Sequence, residues 1–253
     1  MAKIVSVHSF RRGRGKTNLI ASLGVIMAAG GKRVGLVDTD FQSPSLHILF
    51  GIGEDHIPRF LNDYVHQACR IEDAALDLTS RLGAAPTGSL FLIPSNPAPA
   101  AVTQIVGKDF DVDRLGAGYQ SLVEILNLDV LLVDTQAGIS GQSIASLAVS
   151  DATLVVFRLD QQDYQGTSVL IELAHNLGVG DVLLVVNDIP TPYDLQSVKA
   201  ETETTYQAEV GALIPHSEEL GTLGSHDVFA QVYASHPLTT LFEELASRLL
   251  GEA

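Results

Sequence analysis

A single cysteine, Cys69, stands in a chain of 253 residues. One thiol closes no disulfide within the chain, and it excludes a four-cysteine zinc site or an iron–sulfur cluster ligated by one subunit. A reducing compartment, the cytoplasm, is the expected setting. Long apolar runs are missing too: no stretch reaches the roughly 18 residues that a bilayer span needs. The apolar run at 4–7 is too short for a signal peptide and leads into arginines instead of a small-residue cleavage site. The eight histidines show no spacing that suits a metal, and none is assigned as a ligand. Cations are scarce in one half: residues 115–253 carry 3 Lys/Arg against 19 Asp/Glu, whereas residues 1–114 carry 12 against 11. With a formal charge of −15, most of the surface should repel nucleic-acid phosphates and anionic lipid.

The exception is the beginning of the chain, where Lys3, Arg11, Arg12, Arg14, Lys16, Lys32 and Arg33 all precede the first carboxylate, Asp38. An anion is expected there. The composition, 46% hydrophobic and 18% charged, is too apolar for a disordered chain. A chain of this length buries roughly three quarters of its unfolded surface. Runs rich in β-branched residues recur at 4–7, 34–37, 90–93, 130–133, 154–157, 182–186 and 210–214. Runs apolar on both faces read as buried parallel strands. The helix-period segments between them, at 16–30, 57–66, 112–126, 141–149, 164–177, 193–206 and 237–250, read as crossovers. The pattern predicts an α/β fold, a doubly wound and mostly parallel sheet with helices on both faces. Loops are expected through 80–108, and no domain boundary is visible, so 1–253 reads as one domain.

Between the first strand and the first helix lies Ser9-Phe10-Arg11-Arg12-Gly13-Arg14-Gly15-Lys16-Thr17-Asn18. A glycine-containing turn there aims several backbone N–H groups at one point, and the helix N-terminus adds partial positive charge, which suits a polyphosphate. Lys16 would reach the β- and γ-phosphates and the Thr17 hydroxyl would ligate Mg²⁺. Phe10 stands where the strict phosphate-loop pattern has its first glycine. The second strand runs into Asp38-Thr39-Asp40 and the fourth into Asp134-Thr135-Gln136-Ala137-Gly138. Carboxylates at the C-terminal ends of strands in such a sheet face the ligand crevice. Of Asp38 and Asp40, two apart and on one side, one can hold a Mg²⁺-bound water while the other orients the attacking water; Asp134 is expected behind the same Mg²⁺, and Gly138 is the expected hinge of a loop near the γ-phosphate. A turn-capping role for Asp38 is the competing reading.

Together these residues resemble the deviant P-loop ATPases typified by MinD and ParA. The pattern K-G-G-x-G-K-[ST] aligns with Arg11-Arg12-Gly13-Arg14-Gly15-Lys16-Thr17, and the resemblance continues through Asp38-Thr39-Asp40, Asp134 to Gly138, Val185-Val186-Asn187 and Ile214-Pro215-His216. It implies a P-loop NTPase fold, with ATP and Mg²⁺ bound by residues 12–18, adenine held by Asn187 and the Pro215–His216 loop, and catalysis by Lys16 and Asp40. It also implies an ATP-dependent homodimer in which Arg11, standing where the family has its signature lysine, reaches the partner's phosphates. An arginine-finger role is open to Arg11 or Arg14. The residues themselves favour ATP over GTP, because Asp188 follows Asn187 where a guanine-reading motif has lysine.

The leading function is a nucleotide-switched ATPase that positions or regulates a protein partner. A non-hydrolysing, nucleotide-sensing adaptor competes with it, and an ATP-dependent synthetase of the dethiobiotin or cobyrinate type is a third reading. The helix at 237–250 has an apolar face (Leu238, Leu241, Phe242, Leu245, Leu249), but Glu243 and Glu244 outweigh Arg248 on its polar side, the wrong sign for anionic headgroups. Docking on the sheet is expected instead of membrane binding. Arg59, Arg70, Arg81, Lys108 and Arg114 form no continuous stripe, so nonspecific DNA binding is not expected outside an ATP dimer. The amide-rich segment 158–167, with Tyr164, is a candidate contact for a second subunit or a partner, and Asp163 could equally cap a helix there.

Overall fold

Each of the seven apolar runs forms a strand. The computed structural model describes residues 2–83, 86–106 and 111–252; Lys108 and the small-residue loop at 84–85 lie outside them. The strands are β1 (Lys3–His8), β2 (Arg33–Asp38), β3 (Leu76–Asp77), β4 (Ser89–Ile93), β5 (Val130–Asp134), β6 (Ala152–Phe157), β7 (Asp181–Ile189) and β8 (Glu209–Pro215). Among the described residues they make one sheet in the order β3-β4-β2-β5-β1-β6-β7-β8. All neighbours are parallel except the two-residue β3, which lies antiparallel on β4 and was not legible as an apolar run.

The helices are α1 (Lys16–Ala29), α2 (Leu46–Leu49), α3 (Leu61–Val65), α4 (Pro99–Val106), α5 (Val112–Ile125), α6 (Gly141–Ala148), α7 (Gln161–Asn176), α8 (Leu195–Tyr206), α9 (Glu218–Leu223), α10 (Phe229–Val232) and α11 (Pro237–Leu250). They cover both faces. On one, Val5, Val7, Leu36 and Leu132 pack with Leu23 of α1 and Phe242 of α11. On the other, Ile4, Val37 and Val133 meet Leu115, Tyr119 and Leu122 of α5. Further along, Phe157 and Val186 meet Leu170 of α7 and Tyr206 of α8. Alternate residues of β1 thus enter opposite layers, the period-2 consequence of strand geometry.

The apolar face of α11 is consumed by this packing: Leu238, Phe242, Leu245 and Leu249 are each at most 3% exposed, against α1 and β8. No described helix is long and apolar enough to cross a membrane.

Three boundaries differ from the sequence reading. The segment 57–66 is helical only over Leu61–Val65, because Phe60 is extended before it. Within 80–108, Pro99 opens α4, where its fixed φ suits a first helical turn. α7 starts three residues early because Asp160, not Asp163, is its cap, accepting the Gln162 N–H through its side chain. Asp163 is thereby released for another task.

Candidate functional site

Parallel register places the carboxylates. Asp38 and Asp134 are paired positions at the ends of β2 and β5, and Val7 pairs with Asp134 on β5's other side. The loop 9–15 leaves β1 at the same edge. It turns through Gly13 (φ 72°) and Gly15 (φ 90°), both in the left-handed region that favours glycine. At Gly15 space is also limiting, since a Cβ would fall 2.4 Å from the Asn187 side-chain nitrogen. Asn187 Nδ2 donates to the Arg14 carbonyl at 2.7 Å, so one of its polar groups braces the loop from below.

The loop, α1 and the 40–45 turn enclose a cleft of about 240 Å³ lined by residues 12–18 together with Asp40, Ser43, Ser45 and Ser225. Lys16 is 8% exposed, and its ammonium donates to Ser9 Oγ at 3.0 Å. Burial pulls its pKa below the usual lysine value, opposed by the fields of Asp134 and Asp40. A buried ammonium whose nearest hydrogen-bond acceptor is a neutral hydroxyl suits an incoming anion. The Thr17 hydroxyl donates to Asp134 Oδ2 at 2.7 Å, and Asn18 Nδ2 reaches Ser225 Oγ at 3.4 Å.

Asp38 turns out to be both a brace and a charge. Oδ1 accepts the Asp40 N–H at 3.0 Å, and Oδ2 accepts the N–H groups of Ser45 and Leu46 at 2.9 and 3.0 Å. The turn-capping reading is therefore realised, and Asp38 stands behind the cleft wall, not in it. Burial and the Asp134 charge push its pKa up to about 8; burial pushes Asp134 up as well, with Lys16 opposing. Two adjacent buried carboxylates resist double ionisation. A cation held through Thr17 would relieve that repulsion, so the donor set fits Mg²⁺ seated on a hydroxyl and phosphate oxygens. Among the described residues no three carboxylate, histidine or cysteine side chains form a metal cage of their own.

The raised pair has a sign that can be tested. A carboxyl whose pKa is higher folded than unfolded contributes stability below its unfolded value of 3.8, and that contribution is lost as pH rises through the folded value. Metal-free protein should lose stability from this pair between about pH 4 and 8. In Asp38→Asn the fall of Tm across that window should be shallower by on the order of several °C, measured by thermal melts without Mg²⁺. Parallel melting curves would remove the coupling.

The arginines divide. Arg14 is held inside its own subunit: Nε lies 2.6 Å from Asp163 Oδ2, and a terminal nitrogen donates to Asp163 Oδ1 at 3.0 Å. Its side chain is 14% exposed and that of Asp163 2%, so Arg14 is turned toward α7. Arg11 leans on α7, donating to Gln162 Oε1 at 2.8 Å, and stays half exposed outside the cleft. Arg12 crosses the cleft mouth, donating to Gln42 Oε1 at 3.0 Å with Asp40 Oδ1 at 3.5 Å. Its backbone is outside the left-handed region, so a bulky residue is unstrained there. Phe10 leaves the loop altogether and packs on α7, where a Cβ at Gly166 would come within 2.0 Å of its ring.

Asn187, Pro215 and His216 do not line the cleft. His216 Nδ1 pairs with Asp188 Oδ1 at 2.6 Å, and Asp188 Oδ2 lies 3.0 Å from Arg158. Sequence reasoning missed Asp163 as the arginine anchor, Ser9 as the partner of Lys16, and His8. The signal for Asp163 was its register with the cationic loop, masked by a capping role that Asp160 fills. His8 is fully buried beside Thr135, with burial and Lys16 driving its pKa down to about 3, so it is neutral. Gly138 (φ 81°) ties the 135–140 loop to the phosphate loop through its N–H to the Ser9 carbonyl at 2.9 Å.

A family model described as the CobQ/CobB/MinD/ParA nucleotide binding domain matches residues 5–228. The septum site-determining protein MinD of Thermotoga maritima is 24% identical over 258 residues, covering 100% of this chain and 89% of that protein. The solved MinC:MinD cell division complex of Aquifex aeolicus contains a chain of TM-score 0.82 and 21% identity, with 100% of this chain and 97% of that one covered. The MinD complexed with Mg-ADP from Pyrococcus horikoshii gives TM-score 0.80 at 19% identity, covering 98% and 96%.

Proposed function

Because this chain belongs to the CobQ/CobB/MinD/ParA nucleotide-binding family, we propose that it is an ATP-hydrolysing, dimerising switch of MinD/ParA type that positions or regulates a protein partner, with all 253 residues acting as one unit. One observation carries the reading: the buried Lys16 ammonium, the Thr17–Asp134 hydrogen bond and Asp40 converge on a single polar cleft at the strand ends. In this reading the loop N–H groups and Lys16 hold the β- and γ-phosphates. Thr17 holds Mg²⁺ with Asp134 and Asp38 behind it, and the ion neutralises phosphate charge. Asp40 orients water from the open side of the cleft. Phosphoryl transfer of this kind depends on positioning and charge, and requires no covalent nucleophile. Asn187, Pro215 and His216 would flank the base. Arg11, half-exposed at the rim, would exchange its Gln162 contact to reach a second subunit.

The relatives carry the same theme in their names: septum site-determining MinD and a MinC:MinD complex. A second reading, the non-hydrolysing adaptor, is favoured by one contact, the Arg12 guanidinium beside Asp40. Sizing by light scattering separates binding from switching. Saturating Mg·ATP should double the mass of the wild-type chain and ADP should not, whereas an unchanged monomer at saturation would contradict the switch.

A further inference from the structure

A second cleft, of about 380 Å³, opens between the first turn of α7, the turn before α8 and α8 itself. Its floor is Tyr206, 8% exposed, whose ring meets Phe157 edge-on at 5.4 Å and whose hydroxyl donates to the Tyr164 carbonyl at 3.3 Å. Its walls are Tyr164 and Tyr193, 39% and 52% exposed. Tyr193 stands on a Pro190-Thr191-Pro192 turn closed by its own N–H to the Pro190 carbonyl at 3.1 Å, so it is held out before any ligand arrives. Leu159 and Val198 complete the apolar lining, and Glu201 is its charged member; among the described residues no lysine or arginine lines it.

Two half-exposed tyrosines and a buried one lining a single cleft, with a carboxylate among them and no cation among the described residues, make an electronegative pocket. Ring faces attract cations, and a guanidinium is flat, weakly hydrated and able to stack on them while pairing with a carboxylate. We infer that this tyrosine cleft is a seat for an arginine side chain presented by a basic segment of the protein partner. Of the three bases among residues 115–253, Arg158 and Lys199 adjoin the lining but pair with Asp188 and Glu203, which leaves Glu201 as the cleft's own charge. Burial raises the Tyr164 pKa, and Tyr193, Glu201 and Asp160 act in the same sense, so the hydroxyl stays a neutral phenol. The same negative surface disfavours nucleic acid as the occupant. The position is informative as well. Tyr164 sits in the helical turn whose Gln162 and Asp163 grip Arg11 and Arg14, so a partner seated here touches the element that holds the phosphate loop.

This inference rests on the reading of the chain as a partner-regulating switch, and its test is separable from that reading. With the chain's six tyrosines ¹³C-labelled, the full-length protein is titrated with the blocked peptide acetyl-Gly-Arg-Gly-Arg-Gly-amide and with the same peptide carrying citrulline for arginine. The arginine peptide should shift the ring signals of Tyr164, Tyr193 and Tyr206 saturably and leave Tyr64, Tyr119 and Tyr233 in place. Tyr193→Ala and Glu201→Gln should each weaken binding about fivefold or more, and the citrulline peptide should have no effect. An equal response to citrulline, shifts spread over all six rings, or a titration indifferent to both substitutions would overturn the assignment. Mg·ATP calorimetry on the same preparations keeps the two readings apart. Absent peptide binding in a chain that takes ATP removes the cleft alone, and peptide binding in a chain that takes no ATP supports the cleft and removes the switch.

Discussion

Lys16→Ala should lose on the order of 100-fold or more in Mg·ATP affinity, with turnover falling to background. The size follows from the residue's setting. Lys16 is nine-tenths buried, close to Asp134 and Asp40, and bonded to the neutral Ser9 hydroxyl. Removing one member of a buried charge pair, here the ammonium and a phosphate, costs about 2–5 kcal/mol, most of it from the charge left without its counterpart. The fold should tolerate the change. Without nucleotide, the alanine variant relieves the desolvation of an ammonium but also takes its field away from the buried Asp134 and Asp38, so the two effects offset and its Tm should stay within several °C of the wild type. A variant that binds Mg·ATP within threefold of wild type would show that Lys16 points at something other than a triphosphate.

Asp40→Ala should behave differently: ATP affinity and the ATP-dependent dimer persist while kcat falls roughly 100- to 1000-fold, the range for loss of a group that orients or deprotonates water. Asp40 lines the cleft, yet its side chain braces little backbone: among the described residues the one main-chain N–H it accepts is that of Ser43, at 3.1 Å. The Arg12 contact makes a further split measurable. Arg12 lies across Asp40 and Gln42, so Arg12→Ala should raise turnover if that arginine restrains the carboxylate, and should lower it if it touches phosphate. A monomeric Asp40→Ala with normal turnover would take Asp40 out of the chemistry. Wild-type turnover equal to that of Lys16→Ala, with ATP still bound tightly, would leave the adaptor reading standing.

The sheet was legible because seven segments are apolar on both faces, a pattern only a buried parallel strand explains. The pairing of Asp38 with Asp134 was legible for a related reason: strand-end residues in parallel register share one edge of the sheet. Side-chain direction in the loop was not. Phe10 turns away because Gly166, 156 positions later, leaves a notch in α7 that no local pattern announces. Arg14 is internal because Asp163 meets it there, and Asp163 is free to do so only because Asp160 caps the helix. α4 escaped notice because its proline and small residues carry a loop composition, although Pro99 is well placed as a helix opener. The bracing of the Arg14 carbonyl by Asn187 depended on how β7 ends beside the loop.

If the turn closing on Lys16 envelops a triphosphate, isothermal titration calorimetry of Mg·ATP into the wild-type chain should give saturable heat at one site per chain, abolished in Lys16→Ala and weakened when EDTA removes Mg²⁺. No heat at protein concentrations that detect micromolar binding at several temperatures, or heat that survives in Lys16→Ala, would contradict it.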